Sequence, residues 1–427
     1  MARPAPTTER VSVSSTEAPG LGHSGFVSGF DGEPVAVSAD GRFVAFTSNA
    51  ANLVPRDRNG ACDAFVRDRL LGETERVSVS SSGRQGNLSS CFGIALSGDG
   101  RFVAFASRAS NFARHDTNDA VDVFLRDRAR GRTHRISRRF DGHQIAAGAT
   151  DPAISADGSL IAFSSTGHVV RRDTGIEDVY VYRRNERTTR RISVTTAGRP
   201  GNADSFDPDV SADGAVVAFA SRASNLARPD QNFDGGDVFV RVLATDRTRR
   251  VSIDSNGDQL LDCSSGGSFS PKLDEHGVRV VFTEVDPGCL FSHVMLRDRA
   301  AHTTEQLDQG MGSTAPNGAS SAQGISADAS TVVFSSSSSN LVPGDTNGGS
   351  GSDPFDFSGT DVFVVDVATG ATDRVSLSDS DAQVTGSTSF LAAMSADGAF
   401  VSFISRAKGV VSGDTNRKTD VFLRGPL

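Results

Sequence analysis

Acidic and amide side chains recur in this chain at short, regular spacing. Asp57, Asn59 and Asp63 stand in one segment, Asp116, Asn118 and Asp122 in a second, Asp230, Asn232 and Asp234 in a third, and Asp414, Asn416 and Asp420 in a fourth. Oxygen groups at alternate positions are what a hard cation such as calcium gathers, six to eight at a time. The segments lack the bidentate Glu at the twelfth place and the Gly at the sixth that an EF-hand loop needs. The same residue types also build Asx-turns, in which a side-chain oxygen caps a nearby amide. Two readings stand: a rim stabilised by calcium, and a set of structural turns.

A second constellation is smaller. Asp207 and Asp209 flank Pro208, Asp151 precedes Pro152, and Lys272 is one of three lysines in the chain. Paired carboxylates can share general acid and general base roles, and an ammonium beside them tunes their pKa values. The competing reading is an ion pair filling a narrow space, with the Asp-Pro pairs acting as turn chemistry. Other reaction types find no support. There is no G-x-S-x-G elbow and no Gly-rich phosphate loop opening a helix, and the eight His residues show no ligand spacing with Cys that would suit zinc.

The elements that must carry these residues are set by a repeat. SADGRFVAF at 38–46 recurs as SGDGRFVAF at 97–105, SADGSLIAF at 155–163, SADGAVVAF at 211–219, DEHGVRVVF at 274–282, SADASTVVF at 326–334 and SADGAFVSF at 395–403. Each reads as a tight turn followed by a strand ending in Phe, with an apolar residue such as Val37 or Leu96 marking the strand that enters it. A third strand follows after a polar loop, as in AFVRD at 64–68 and VFLRD at 123–127, and then a fourth, as in ERVSVS at 75–80 and RRISVT at 190–195. The last copy, VFLRG at 421–425, has no fourth strand after it, yet ERVSVS also stands at 9–14. A ring of blades leaves a seam unless its termini are locked together. The expectation is one all-β domain over 1–427: a seven-bladed β-propeller of four-stranded blades, with 1–7 a short tail and 9–14 completing the seventh blade.

The S-A-D-G turn with V-A-F, then D-V-F-V, then R-V-S, resembles the WD40-like repeat, often called PD40, of the TolB-type propeller families. The likeness runs from Thr8 to Leu423. Ala stands where the family turn usually has Pro, and Phe takes the place of the neighbouring aromatic. The resemblance implies a platform for protein contacts, while related propellers include lyases, hydrolases and partners of peptidase domains. Fold analogy does not choose among these.

Mapping the residues onto blades sharpens both constellations. The second-to-third loops and the connections between blades leave on one face, where the Asp/Asn segments lie. Cys62 and Cys91 meet on that face at blade one, and Cys263 and Cys289 at blade five. Cys62–Cys91 with Cys263–Cys289 is the only local pairing, each closing a loop of about 30 residues and contributing on the order of 3 kcal/mol. Such bridges suit an oxidising compartment, secreted or periplasmic; four buried thiols in a cytoplasmic protein is the competing reading. Residues two before each turn face the axis and are small in five blades, Ala36, Ala95, Ala153, Gly324 and Ala393, but Asp209 and Lys272 in blades four and five. Phe26, Phe92, Phe206, Phe269 and Phe390 lie near the inner-strand starts, and Phe206 and Phe269 with Asp151 are candidates for an apolar, ligand-binding rim.

Composition removes some partners. A formal net charge of −9 without charge blocks leaves no basic stripe for nucleic acid. No run of about 18 apolar residues spans a membrane. The N-terminal segment has no apolar h-region, so a secretory signal is absent or already removed. With no Trp and only two Tyr, flat platforms for carbohydrate are scarce. The resulting expectation is a monomeric, non-enzymatic bacterial scaffold for a protein or small ligand, with an acid–base enzyme of lyase, hydrolase or cyclase type as the alternative.

Overall fold

The computed structural model describes residues 5–25, 33–171, 173, 175–232, 235–260, 267–286, 291–347, 359–384, 388–414 and 416–427. Among them, 28 strands and no helices form seven four-stranded antiparallel sheets. Blade one runs outward through Val35–Val37, Phe43–Ser48, Asp63–Asp68 and Glu73–Arg76. In blade seven the outermost position belongs to Thr7–Arg10, which pairs antiparallel with Asp420–Gly425, Thr7 opposite Gly425 and Arg10 opposite Phe422. The N-terminal strand closes the ring as its sequence predicts.

Its register is earlier than the motif implies. The fourth strands end at the Arg of R-V-S, not beyond it. The cause is local. Val77 and Ser78 both direct their amides to the Ala64 carbonyl, at 2.8 and 3.3 Å, and Val79 then bonds back to Val77 at 2.8 Å, a three-residue turn that leads the chain off the ladder.

The two Phe residues of the repeat explain the blade core. The last residue of V-A-F lies opposite the Phe of D-V-F, giving stacked pairs such as Phe46–Phe65 and Phe219–Phe239 at 5.7 Å. Tyr180 takes this place opposite Phe163, and Met295 opposite Phe282. Cross-strand aromatic pairs of this kind stabilise by about 1 kcal/mol beyond their burial.

At the turns, the Ser38 hydroxyl donates to Asp40 at 2.7 Å and accepts from the Phe43 amide at 2.8 Å. Gly41 has φ +70°, and a Cβ there would fall 2.3 Å from the Phe400 ring of the preceding blade. The position therefore excludes side chains on two counts.

Backbone bonds at the second turn position, shifted to Asp213 as the donor in blade four, build a belt around the axis. Ala39 donates its amide to the Gly98 carbonyl, Gly98 to Ala156, and Ala156 to Ala212, each at 2.9 Å. Asp213 donates to Glu275 and Glu275 to Ala327, both at 3.1 Å, then Ala327 to Ala396 at 2.7 Å and Ala396 to Ala39 at 3.2 Å. Proline has no amide hydrogen to give. Ala39, Ala156, Ala327 and Ala396 thus supply donors to the belt that a proline at these positions could not, and Gly98, Asp213 and Glu275 supply the other three.

Candidate functional site at the channel mouth

The opposite end of the channel is built by irregular inner strands. Register shifts fall between Thr150 and Ala153, Phe206 and Asp209, Phe269 and Lys272, Ala322 and Gly324, and Phe390 and Ala393. Asp151, Asp207, Ser270 and Leu391 each sit inside one of them with φ between 48 and 51°. Left-handed backbone at non-Gly residues is strained, and bulges re-aim side chains. Here they turn Asp151, Asp207 and Asp209 with Lys272 onto a cavity of about 390 Å³ along the axis.

Glu33, which sequence reasoning missed, completes the group. Its carboxylate forms an ion pair with Lys272, joining blade one to blade five across the ring. The Glu33-Pro34 pair before the first inner strand echoes the Asp-Pro pairs and was the available signal. Asp207 accepts from the Ser270 amide at 3.3 Å, and Asp209 from the Leu273 amide at 2.8 Å, so both blade-four carboxylates are tied to blade five. The Ser164 hydroxyl lies 3.0 Å from Asp151 and 2.9 Å from Glu177.

The electrostatics follow from burial and this pairing. Burial pushes Asp209 up to about 6; Lys272 and the Leu273 amide pull the other way, and the Glu33 charge adds to the rise. Burial also pulls the Lys272 ammonium down, but Glu33 and Asp209, helped by Asp207, outweigh it and hold the lysine protonated above its ordinary range. Phe206 and Phe269 do not line the cavity. The Arg222 guanidinium covers Phe206, 5.7 Å from the ring centre.

The Asp/Asn segments take a different form. Arg76 at the end of the fourth strand reaches Asp57 and Asp63, 3.2 Å from each, and Gln85 donates to both at 2.6 and 3.1 Å. Asn59 donates to Asp63 at 3.1 Å while its own oxygen accepts from the Ala61 amide at 3.0 Å. Arg135 joins Asp116 to Asp122, with Asn118 on the Ile145 carbonyl. Arg250 joins Asp230 to Asp237, and Arg10 joins Asp414 to Asp420, where Asn416 donates at 2.8 Å. Arg191 and Arg374 do the same in blades three and six. A guanidinium stands where a cation would bridge the carboxylates, so these residues do not fit a calcium ion. Among the described residues no group of three or more His, Cys, Asp or Glu is gathered to hold a metal. Asp234 lies outside the described residues, and Asn232 is described beside it.

Blade five lacks this Arg. Gln306 takes its place, donating to Asp308 at 2.9 Å, and His293 lies 3.3 Å from the same carboxylate. Cys62 and Cys91 form the expected disulfide, with Cα atoms 5.9 Å apart. Cys263 and Cys289 lie outside the described residues. No helix among the described residues is long and apolar enough to cross a membrane.

Known proteins add one finding. No family model matches the chain, and no curated protein matches it. Among solved structures, an oligogalacturonate lyase from Vibrio parahaemolyticus aligns over 99% of this chain and 97% of its own, with a TM-score of 0.55 at 10% identity. An oligogalacturonate lyase in complex with manganese aligns over 100% and 99%, at 0.56 and 14%. A TolB-type protein from Agrobacterium tumefaciens covers 70% of this chain and 87% of its own at 0.40 and 15%. The fold is a seven-bladed propeller. At these identities the likeness extends to architecture alone.

Proposed function

We propose that this protein is a binding propeller that holds a protein or small ligand on its long-loop face, outside the cytoplasm, with the channel charges serving as a structural brace. The supporting observation is the engagement of the would-be catalytic groups. Lys272 is taken by Glu33, and Asp207 and Asp209 by the backbone of the next blade. A general base must be within reach of a substrate proton. The disulfide at blade one supports an oxidising compartment.

The enzyme reading retains one observation: a cavity with a carboxyl titrating near 6 suits acid–base work. The two lyase neighbours supply a substrate to try. Oligogalacturonate incubated with the full chain, with and without manganese, is monitored for the unsaturated product of elimination. The binding reading predicts none. Turnover abolished by Asp207→Asn or Lys272→Met would establish the enzyme instead.

A further inference from the structure

Blade two departs from its sisters at the outer rim. Three residues after the clasp Arg the chain carries Val13, Val79, Val194, Ile253 and Leu377 in five blades and Gln309 in blade five, but Arg138 in blade two. The backbone role is unchanged, since Arg138 bridges Gln144 as Val79 bridges Gln85. Around Arg138 the structure places a cavity of about 610 Å³, lined by Arg114, His115, His134 and His143 against the buried Phe112. An Arg-rich run at 126–139 supplies one side of it, and the cavity joins residues 112–115 to 133–144 across the blade edge.

The nearby negative charges are already committed. Arg135 holds Asp116 and Asp122, at 3.3 and 3.1 Å, and Arg139 holds Asp141 at 3.2 Å. Arg114, Arg138, His115 and His143 form no ion pair among the described residues. The surplus positive charge is felt locally: burial lowers the His134 pKa, and Arg138, Arg187 and Arg132 lower it further. Arg114 and Arg138, exposed beside the cavity and without counter-charges of their own, can give a multiply charged oxyanion charge-assisted hydrogen bonds.

We infer that this blade-two pocket binds a small, multiply charged oxyanion, a phosphate or a polycarboxylate, held by Arg138 and Arg114 with His115 and His143 at its mouth. The site is separate from the channel and does not depend on how the channel is read.

The test is calorimetric titration of the full chain with inorganic phosphate and, separately, with citrate. Saturable binding of either supports the site, and the preferred anion identifies its class. Arg138→Val installs the residue type of five sister blades and is expected to fold; it should weaken binding at least about 10-fold, the loss expected of one charge-assisted contact. Arg84→Ala, at the exposed position of blade one that corresponds to His143, should leave affinity unchanged. If Arg138→Val alters the melting midpoint without ligand, Arg114→Gln provides the same readout from the other side of the pocket. Absence of binding to both anions, equal affinity in the pocket variants, or binding of an acidic peptide alone would each overturn the inference.

Discussion

The two ends of the channel are made from the same seven repeats by opposite means. At the turn face, all seven blades contribute a backbone bond to a closed belt, six of them from the same turn position and blade four from Asp213, and five of the seven residues at that position are Ala. A Cβ on Gly98 would stand 3.3 Å from that of Ala156 and 3.4 Å from that of Ala39. At the mouth the blades differ: register shifts in five of them, acidic side chains from blades one, three and four, and a single ammonium from blade five. Uniformity at one end fixes the ring geometry. Divergence at the other leaves individual blades able to carry charge, and the blade-two pocket is a second case of one copy departing from the rest.

The comparison can be broken most sharply at the rim of the mouth face. Arg76→Met leaves Asp57 and Asp63 buried without their cation, a loss of about 3 kcal/mol. Chemical denaturation should show it, and added calcium should not restore it. At the belt, Ala156→Pro removes one amide donor; the expected loss is about 1 kcal/mol. An equal loss from Ala156→Ser, which keeps the donor, would show that packing and not the bond matters there.

The smallest effect concerns pH. Asp209 titrates near 6 in the folded chain against an ordinary value of 3.8. The native state therefore binds this proton more tightly, and its contribution to stability falls as pH climbs from about 4 to about 6. Asp209→Asn should flatten that segment of the stability curve and leave the variant about 1 kcal/mol more stable than wild type near neutrality, allowing for water in the channel. An unchanged slope would place Asp209 in a more polar setting.

The blade count, strand order and ring closure were legible because each rests on a repeated local pattern. The Arg clasp was not. The oxygen-rich loops suggested a bound cation, but the cation is a side chain one hairpin away, as Arg76 is from Asp63. Glu33 escaped for a similar reason, since its partner Lys272 lies across the ring and no local spacing links them. Phe206 and Phe269 are candidates for an apolar rim by strand position, and neither is among the residues lining the axial cavity. Residues that meet through closure of the ring leave no short-range signal.

The claim that the channel charges brace the ring is tested most directly by a double-mutant cycle on Glu33 and Lys272, with unfolding free energies measured for Glu33→Gln, Lys272→Met and the pair. The brace predicts that each single variant is destabilised and that the double variant recovers part of the loss, a coupling of about 1 kcal/mol or more. Additive effects with no coupling would mean that Lys272 is free of Glu33 and available to a ligand, contrary to the account given for the channel.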